Sequence, residues 1–164
     1  MSETTEVPGT GASVCEEVLV RIARRADVPA IVALLADDVL GRTREDPSDL
    51  DTYVEAFDEM ALDPNSDLLV LDLDGEVVGT AHLVYGRSLA RKGQRRCTVE
   101  SVQVAARLRG RGLGALLIGA VIDLARAHGC GLVQLTSHKS RTDAHRFYRR
   151  LGFEASHEGM KLIL

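Results

Sequence analysis

The chain predicts an α/β protein built on a central mixed β-sheet with helices on both faces. Three observations carry this reading. Strand-like and helix-like segments follow one another in the order β-α-α-β-β-β-α-β-α-β-β, which implies a sheet covered on each side. Asp74-Gly75 separates two apolar strand-like runs, a strong hairpin signal. A third strand-like run, Thr98 to Val104, leads through a glycine-rich turn into a strongly periodic helix.

Each element has its own local reason. Leu19 to Ile22 reads as a short strand. Asp27 is placed to cap a helix, Pro29 is tolerated in its first turn, and Val28, Ile31, Val32, Leu34 and Leu35 form its apolar stripe. Gly41 to Asp49 is a polar loop, and Leu50 to Leu62 a second helix ended by Asp63-Pro64-Asn65. Leu68 to Leu73 and Glu76 to Tyr85 are the strands of the hairpin. Gly86 to Gln94 is a basic loop before the strand that ends at Val104. The helix from Gly112 to His128 puts Leu113, Leu116, Leu117, Ala120, Val121 and Leu124 on one face and stops at Gly129 and Gly131. Leu132 to Thr136 reads as a buried strand, Arg141 to Leu151 as the last helix, and Phe153 to Leu164 as a closing hairpin bent near Glu158-Gly159.

The 164 residues suit one domain, expected over 18–164, with a core of Leu, Val, Ile and Ala because aromatic residues are few. Residues 1–17 are acidic and rich in Ser, Thr and Gly, with neither the basic start nor the apolar centre of a signal peptide. They are expected to be a flexible tail on a cytoplasmic protein. No apolar run reaches membrane-spanning length, so no membrane partner is expected. Cys15, Cys97 and Cys130 are far apart and odd in number, as free thiols would be. Five histidines invite a metal reading, but His138, Asp143 and His145 lack the tight spacing of a ligand set, and no metal is expected.

Charge is unevenly spread. Residues 1–76 carry 5 Lys and Arg against 19 Asp and Glu, a balance of −14, while residues 77–164 carry 15 against 5, a balance of +10. A basic half suits a cofactor with several phosphates, and an acidic half draws a cationic amine. Two solvated faces of one fold would give the same arithmetic. Nucleic acid is disfavoured, because the acidic half cannot offer the broad positive surface that phosphate backbones need.

The most informative stretch is Arg109-Gly110-Arg111-Gly112-Leu113-Gly114. Glycines after a strand and at a helix mouth let backbone approach a bulky anion, and the first helical turn offers unpaired N–H groups and the positive end of the helix dipole. A turn used only for close packing would look similar. No Lys-Ser/Thr follows, so the loop is not of the Walker type, and its spacing is not G-x-G-x-x-G.

Arg109, Gly112 and Gly114 in this order resemble the Q/R-x-x-G-x-G/A coenzyme A loop of the GNAT superfamily of N-acetyltransferases. Val99-Glu100-Ser101-Val102-Gln103-Val104 resembles that family's fourth strand. Asp143 to Phe153 resembles its A-x-x-F-Y-x-x-x-G-F segment. The likeness covers roughly residues 19–164. It implies a GNAT-like acyl-CoA N-acyltransferase fold, acetyl-CoA as acyl donor, and an amine that attacks the thioester directly in a ternary complex.

The resemblance also implies roles. Val102, Gln103 and Val104 would hold pantetheine through the strand backbone, and Arg109, Gly110, Arg111, Gly112, Leu113 and Gly114 the pyrophosphate. Tyr148 matches the family's tyrosine near the coenzyme sulfur, where a phenol of ordinary pKa about 10 can protonate the leaving thiolate; anchoring the helix is its plainer role. Glu100 is the candidate general base through an ordered water. It lies two residues before Val102, on the same face of a regular strand unless a bulge intervenes. Its plainer role is an ion pair with an arginine such as Arg96. One position departs from the family pattern: Arg141 stands where many members have Asn. The expected acceptor is a small-molecule primary amine, walled by Gly41–Asp46, the second helix and Gly86–Gln94. A protein lysine or N-terminus is the alternative enzyme substrate, and a non-catalytic coenzyme-A-binding sensor the alternative class. Dimers are common in the family, and a homodimer is compatible with this chain.

Overall fold

The computed structural model describes residues 17–38 and 41–164. Cys15 and all but the last residue of the expected tail lie outside them. The elements run β1 (Val18–Ile22), α1 (Val28–Ala36), α2 (Leu50–Leu62), β2 (Ser66–Leu73), β3 (Glu76–Arg87), a single turn α3 (Ala90–Gly93), β4 (Arg95–Val104), α4 (Leu113–Ala127), β5 (Cys130–Leu135) and α5 (Thr142–Arg150). The five strands lie in sequence order across one sheet. Neighbours are antiparallel except β4 and β5, which are parallel and joined through α4.

Strand alternation divides the sheet into two faces. Leu69, Leu71 and Leu73 of β2 point into the larger core with Val78, Leu83, Cys97 and Val99, under Leu117, Ile118, Val121 and Ala125 of α4. Val70 points the other way, joining Ile31 of α1 in a second cluster that Leu68 and Phe57 of α2 flank. Helices therefore cover both faces, as expected. The apolar face of α4 is rotated from the sequence reading: Ile118 and Ala125 are buried, while Leu116 is 47% exposed. The 117-118-121-125 stripe is itself helical in spacing, and Leu116 falls on its edge.

The hairpin turns where expected, with both Asp74 (φ 52°) and Gly75 (φ 87°) left-handed, the geometry that matches strand twist. Two expectations fail. Phe153–Leu164 carry no strand: residues 154–159 include no β-branched residue and no Phe, Tyr or Trp, so they have little to pack on a pleated surface. Leu132 to Leu135 is only half-buried rather than buried, because β5 pairs with β4 alone among the described strands.

Two polar clusters fasten the sheet. At the start of β4, the Tyr85 hydroxyl donates to Asp67 at 2.7 Å. The His128 ring stacks on Tyr85 at 3.9 Å, and the Arg95 guanidinium lies over the Tyr85 ring at 5.8 Å from its centre. This clamp joins β2, β3, β4 and the end of α4. The second cluster anchors α1. Asp27 does not cap that helix with its side chain. It turns back to accept two bonds from the Arg21 guanidinium, at 2.7 and 3.0 Å, and one from the Arg24 N–H at 2.7 Å, while Arg21 also reaches Asp72 at 2.9 Å. A guanidinium so close satisfies both carboxylate oxygens better than a lone helix N–H.

The Arg21 guanidinium, with the Arg24 N–H, holds the Asp27 carboxyl below its ordinary 3.8 despite its burial. Asp27→Asn keeps the shape and removes the charge, and is expected to destabilise the fold by about 2 kcal/mol at neutral pH. The carboxylate's contribution is complete above pH 3.8 and lost as pH falls through the lower folded value. Urea titrations should show a gap between wild type and variant that closes in acid; a gap constant with pH would disprove the linkage.

Candidate active site

The glycine-rich turn lies where β4 hands over to α4. After a short 3-10 turn at Ala106–Leu108, Gly110 (φ 80°) and Gly112 (φ 83°) both take left-handed conformations, and Gly112 is the N-cap of α4. A Cβ built at either position meets nothing within 4 Å. The glycines are needed here for their dihedrals, and the backbone above them is open to an approaching group. The first helical bond runs from the Leu116 N–H to the Gly112 carbonyl at 3.1 Å, so the N–H groups before it have no partner inside the helix. The Arg109 side chain folds back to donate from Nε to the Val104 carbonyl at 3.1 Å, tying the loop to the strand end. Gly114 serves a different end: its Cβ would lie 3.2 Å from Phe147 Cζ, so the glycine lets α5 pack closely on α4.

β4 carries one residue more than β3 at its centre. Thr80 faces Gln103 and His82 faces Glu100, leaving Ser101 and Val102 opposite Ala81. Ser101 absorbs the extra length with φ 53°, the signature of a bulge. This corrects the face expected for Glu100. Cys97, Val99, Val102 and Val104 all belong to the α4-side core, while Glu100 stands with His82 towards α1 and α2. Among the described residues no ion pair joins Glu100 to Arg96. β4–β5 pairing ends at Val99 and Leu135, yet β4 runs on to Val104. The last part of β4 therefore has an edge that β5 does not occupy. Ser137, just past β5, has a buried Oγ with no hydrogen-bond partner.

Tyr148 is held by the way α5 ends. The Gly152 N–H bonds the Arg149 carbonyl at 3.0 Å and the Phe153 N–H bonds the Tyr148 carbonyl at 3.1 Å, with Gly152 at φ 89°. This is a Schellman stop, whose usual companion is an apolar contact across the turn. Here that contact is Phe153 edge-on to Tyr148 at 5.6 Å, and Phe147 flanks the same ring at 5.1 Å. Burial raises the Tyr148 phenol above its ordinary value, partly offset by the positive Arg141, so it is protonated at neutral pH. Arg141 itself forms an ion pair with Asp38, past the end of α1.

Beside Glu100 lies a cavity of about 140 Å³ that the sequence reading missed in its details. α1 and α2 form one wall, with Ile31, Val32, Phe57 and Met60 among the lining; His82 and Ser101 form part of the other. The second helix thus lines this cavity, and Gly41–Asp46 supports it, through the Asp46 N–H and Glu45 carboxylate on the Tyr53 hydroxyl at 2.9 and 3.0 Å. The segment Gly86–Gln94 does not line it. Burial pushes the His82 imidazole below its ordinary value, against the pull of Glu100, and its Nε2 lies 2.9 Å from Ser66 Oγ. A lone polar residue between Ala81 and Leu83 was the available signal. His157 is exposed, and Glu158 pairs with Lys139. Burial pushes the Cys97 thiol up to about 12, which makes it a core residue rather than a nucleophile.

Comparison with known proteins agrees with this geometry. Residues 30–153 match the family described as "Acetyltransferase (GNAT) family". The chain is similar to an L-methionine sulfoximine/L-methionine sulfone acetyltransferase of Pseudomonas aeruginosa, 36% identical over 140 residues that cover 84% of this chain and 80% of the relative. It is also similar to an aminoalkylphosphonate N-acetyltransferase of Salmonella typhimurium, 28% identical and covering 88% of each chain. Among solved structures, one described as a transcriptional regulator from Bacillus halodurans C-125 superposes with a TM-score of 0.87 at 41% identity, over 90% of this chain and 100% of that one.

Gly152→Ala forces a side chain into the left-handed region and is expected to cost about 1–2 kcal/mol. It should also loosen Phe153 from Tyr148. Thermal unfolding together with near-ultraviolet circular dichroism of the tyrosines checks both; an unchanged spectrum with full stability would mean the stop does not position the ring.

Proposed function

The chain belongs to the GNAT acetyltransferase family, and on that premise we propose that it transfers the acetyl group of acetyl-CoA to a small primary amine by direct attack in a ternary complex. The observation that carries the proposal is the unoccupied β4 edge leading straight into an open glycine turn at a helix N-terminus. Such a strip offers backbone donors and acceptors to an extended chain, and then N–H groups and a positive dipole to its phosphates. The unpartnered Ser137 hydroxyl beside it is one more polar group suited to a ligand.

Acetyl-CoA, when bound, supplies an activated thioester. Val102, Gln103 and Val104 would hold it along the strand. Arg109, Gly110, Arg111, Gly112 and Leu113 would hold it at the turn, and Gly114 acts by letting α4 and α5 close up. The reaction exchanges a thioester C–S bond for an amide C–N bond; one proton leaves the amine and one reaches the sulfur. Glu100, exposed and on the α1–α2 side, is the carboxylate that accepts the amine proton through water. Tyr148, kept protonated by burial, is the donor to sulfur. Tyr148 packs with the α4-side core and Glu100 belongs to the α1–α2 side, so the two proton transfers are given to different groups. The small size of the cavity beside Glu100 supports a small acceptor over a peptide. So do the acceptors named for the two curated relatives.

Gly112→Glu places a side chain and a negative charge at the N-cap of α4, and is expected to weaken coenzyme binding by at least about 100-fold, roughly 2.7 kcal/mol. Titration calorimetry reads this directly; undiminished affinity would sink the assignment of the turn. Tyr148→Phe keeps the ring that Phe147 and Phe153 grip and removes the proton. Turnover should fall about 100-fold with coenzyme affinity unchanged. An unaffected rate would return Tyr148 to a packing role.

A further inference from the structure

We propose that the cavity between α1, α2 and the sheet selects a primary amine carried on a short, uncharged, apolar chain, and rejects amines whose far end is anionic or cationic. The inference rests on the reading above and names its acceptor class. Its basis is the chemistry of the lining. Nine of the eleven lining residues are aliphatic, Phe, Tyr or Met, and none is Lys or Arg. At about 140 Å³ the space is close to the roughly 150 Å³ of an apolar cavity that stays dry and accepts benzene.

The polar groups sit at one end. His82 and Ser101 line the cavity, and Glu100 is the strand partner of His82. An amine at that end meets a carboxylate, and its chain then extends between Ile31, Val32, Phe57 and Met60. His82 adds no positive charge there at neutral pH, because burial holds it unprotonated, so a cationic amine is not repelled. Among the described lining residues of the helices, Tyr53 carries the hydroxyl, and its proton is given to Glu45. The nearby cations Arg21 and Arg141 are engaged by Asp27 with Asp72 and by Asp38. A phosphonate, carboxylate or second ammonium at the far end of the acceptor would lie against an apolar lining that contains no Lys, Arg, Asp or Glu.

The test uses the full chain and acetyl-CoA, reading thiol release with amines of similar length: 3-methylbutylamine, phenethylamine, 2-aminoethylphosphonate and 1,4-diaminobutane. The first two should exceed the last two in kcat/KM by at least about 100-fold. Equal or better use of the phosphonate or diamine overturns this inference and leaves acetyl transfer to small amines standing. Thiol release with none of the four, despite coenzyme binding, overturns the small-amine reading and this inference with it. A second arm uses Met60→Lys, which sets a cation at the half-buried rim of the cavity. Its coenzyme affinity by calorimetry shows that the fold is kept. The variant should lose about 10-fold in kcat/KM for 3-methylbutylamine and gain activity on the phosphonate. An unaltered preference would overturn the placement of the chain in this cavity.

Discussion

The site depends on one extra residue in β4. Ser101 lets the strand carry two residues where β3 carries one, and that single insertion re-aims everything after it. Before the bulge, the alternate residues Thr98 and Glu100 look towards α1 and α2. After it, Val102 and Val104 rejoin the face that packs under α4. Without it, the strict period of two would put Glu100 and Val102 on one face. The bulge also lies where pairing with β5 stops. Ser101 holds a backbone conformation that costs of order 1–3 kcal/mol for a residue with a Cβ. The pairing with β3 before and after the bulge holds it there.

The two faces then divide the work. On the α4 side, Gly112 opens the helix end, Gly114 brings α5 close, and Gly152 turns Phe153 onto Tyr148. Three glycines thus do three physically different things: allow a dihedral, allow an approach, and stop a helix. On the α1–α2 side, α1 is held by its buried Val28, Ile31 and Val32 and by charge. The Arg21–Asp27–Asp72 group ties the start of α1 to β1 and β2, while α2 has no fully buried residue and leaves a cavity where a packed core would otherwise be.

Signals that act within a few residues were legible. Leu50–Leu62 was bounded correctly because its ends are marked locally, by the polar loop before it and Asp63-Pro64-Asn65 after it. The Asp74-Gly75 turn and the glycine loop declare themselves through the dihedrals they demand. What failed to show depends on distant partners. Asp27 looked like a cap until a guanidinium from β1 was brought to it. The bulge falls on a serine, a residue with no special mark in a strand, so the face of Glu100 was misassigned. His82 is an isolated histidine in sequence and acquires meaning only from its strand partner. The closing hairpin was read from a Glu-Gly pair near its bend, and residues 154–159 before and around that bend offer no β-forming run.

The Tyr85–His128–Arg95 clamp bears on how the cleft behaves in time. It grips β4 at its first residues and holds the end of α4, just ahead of β5, whereas at the opposite end β5 stops at Leu135 and β4 runs on alone to Val104. The free length of β4 is therefore a built feature of the chain, set by the lengths of the two strands rather than by a rearrangement. A groove of this kind spends little ordering entropy when it is filled. Its occupancy follows mass action on a ready-made surface, and association should be governed by diffusion and charge more than by waiting for the protein to rearrange.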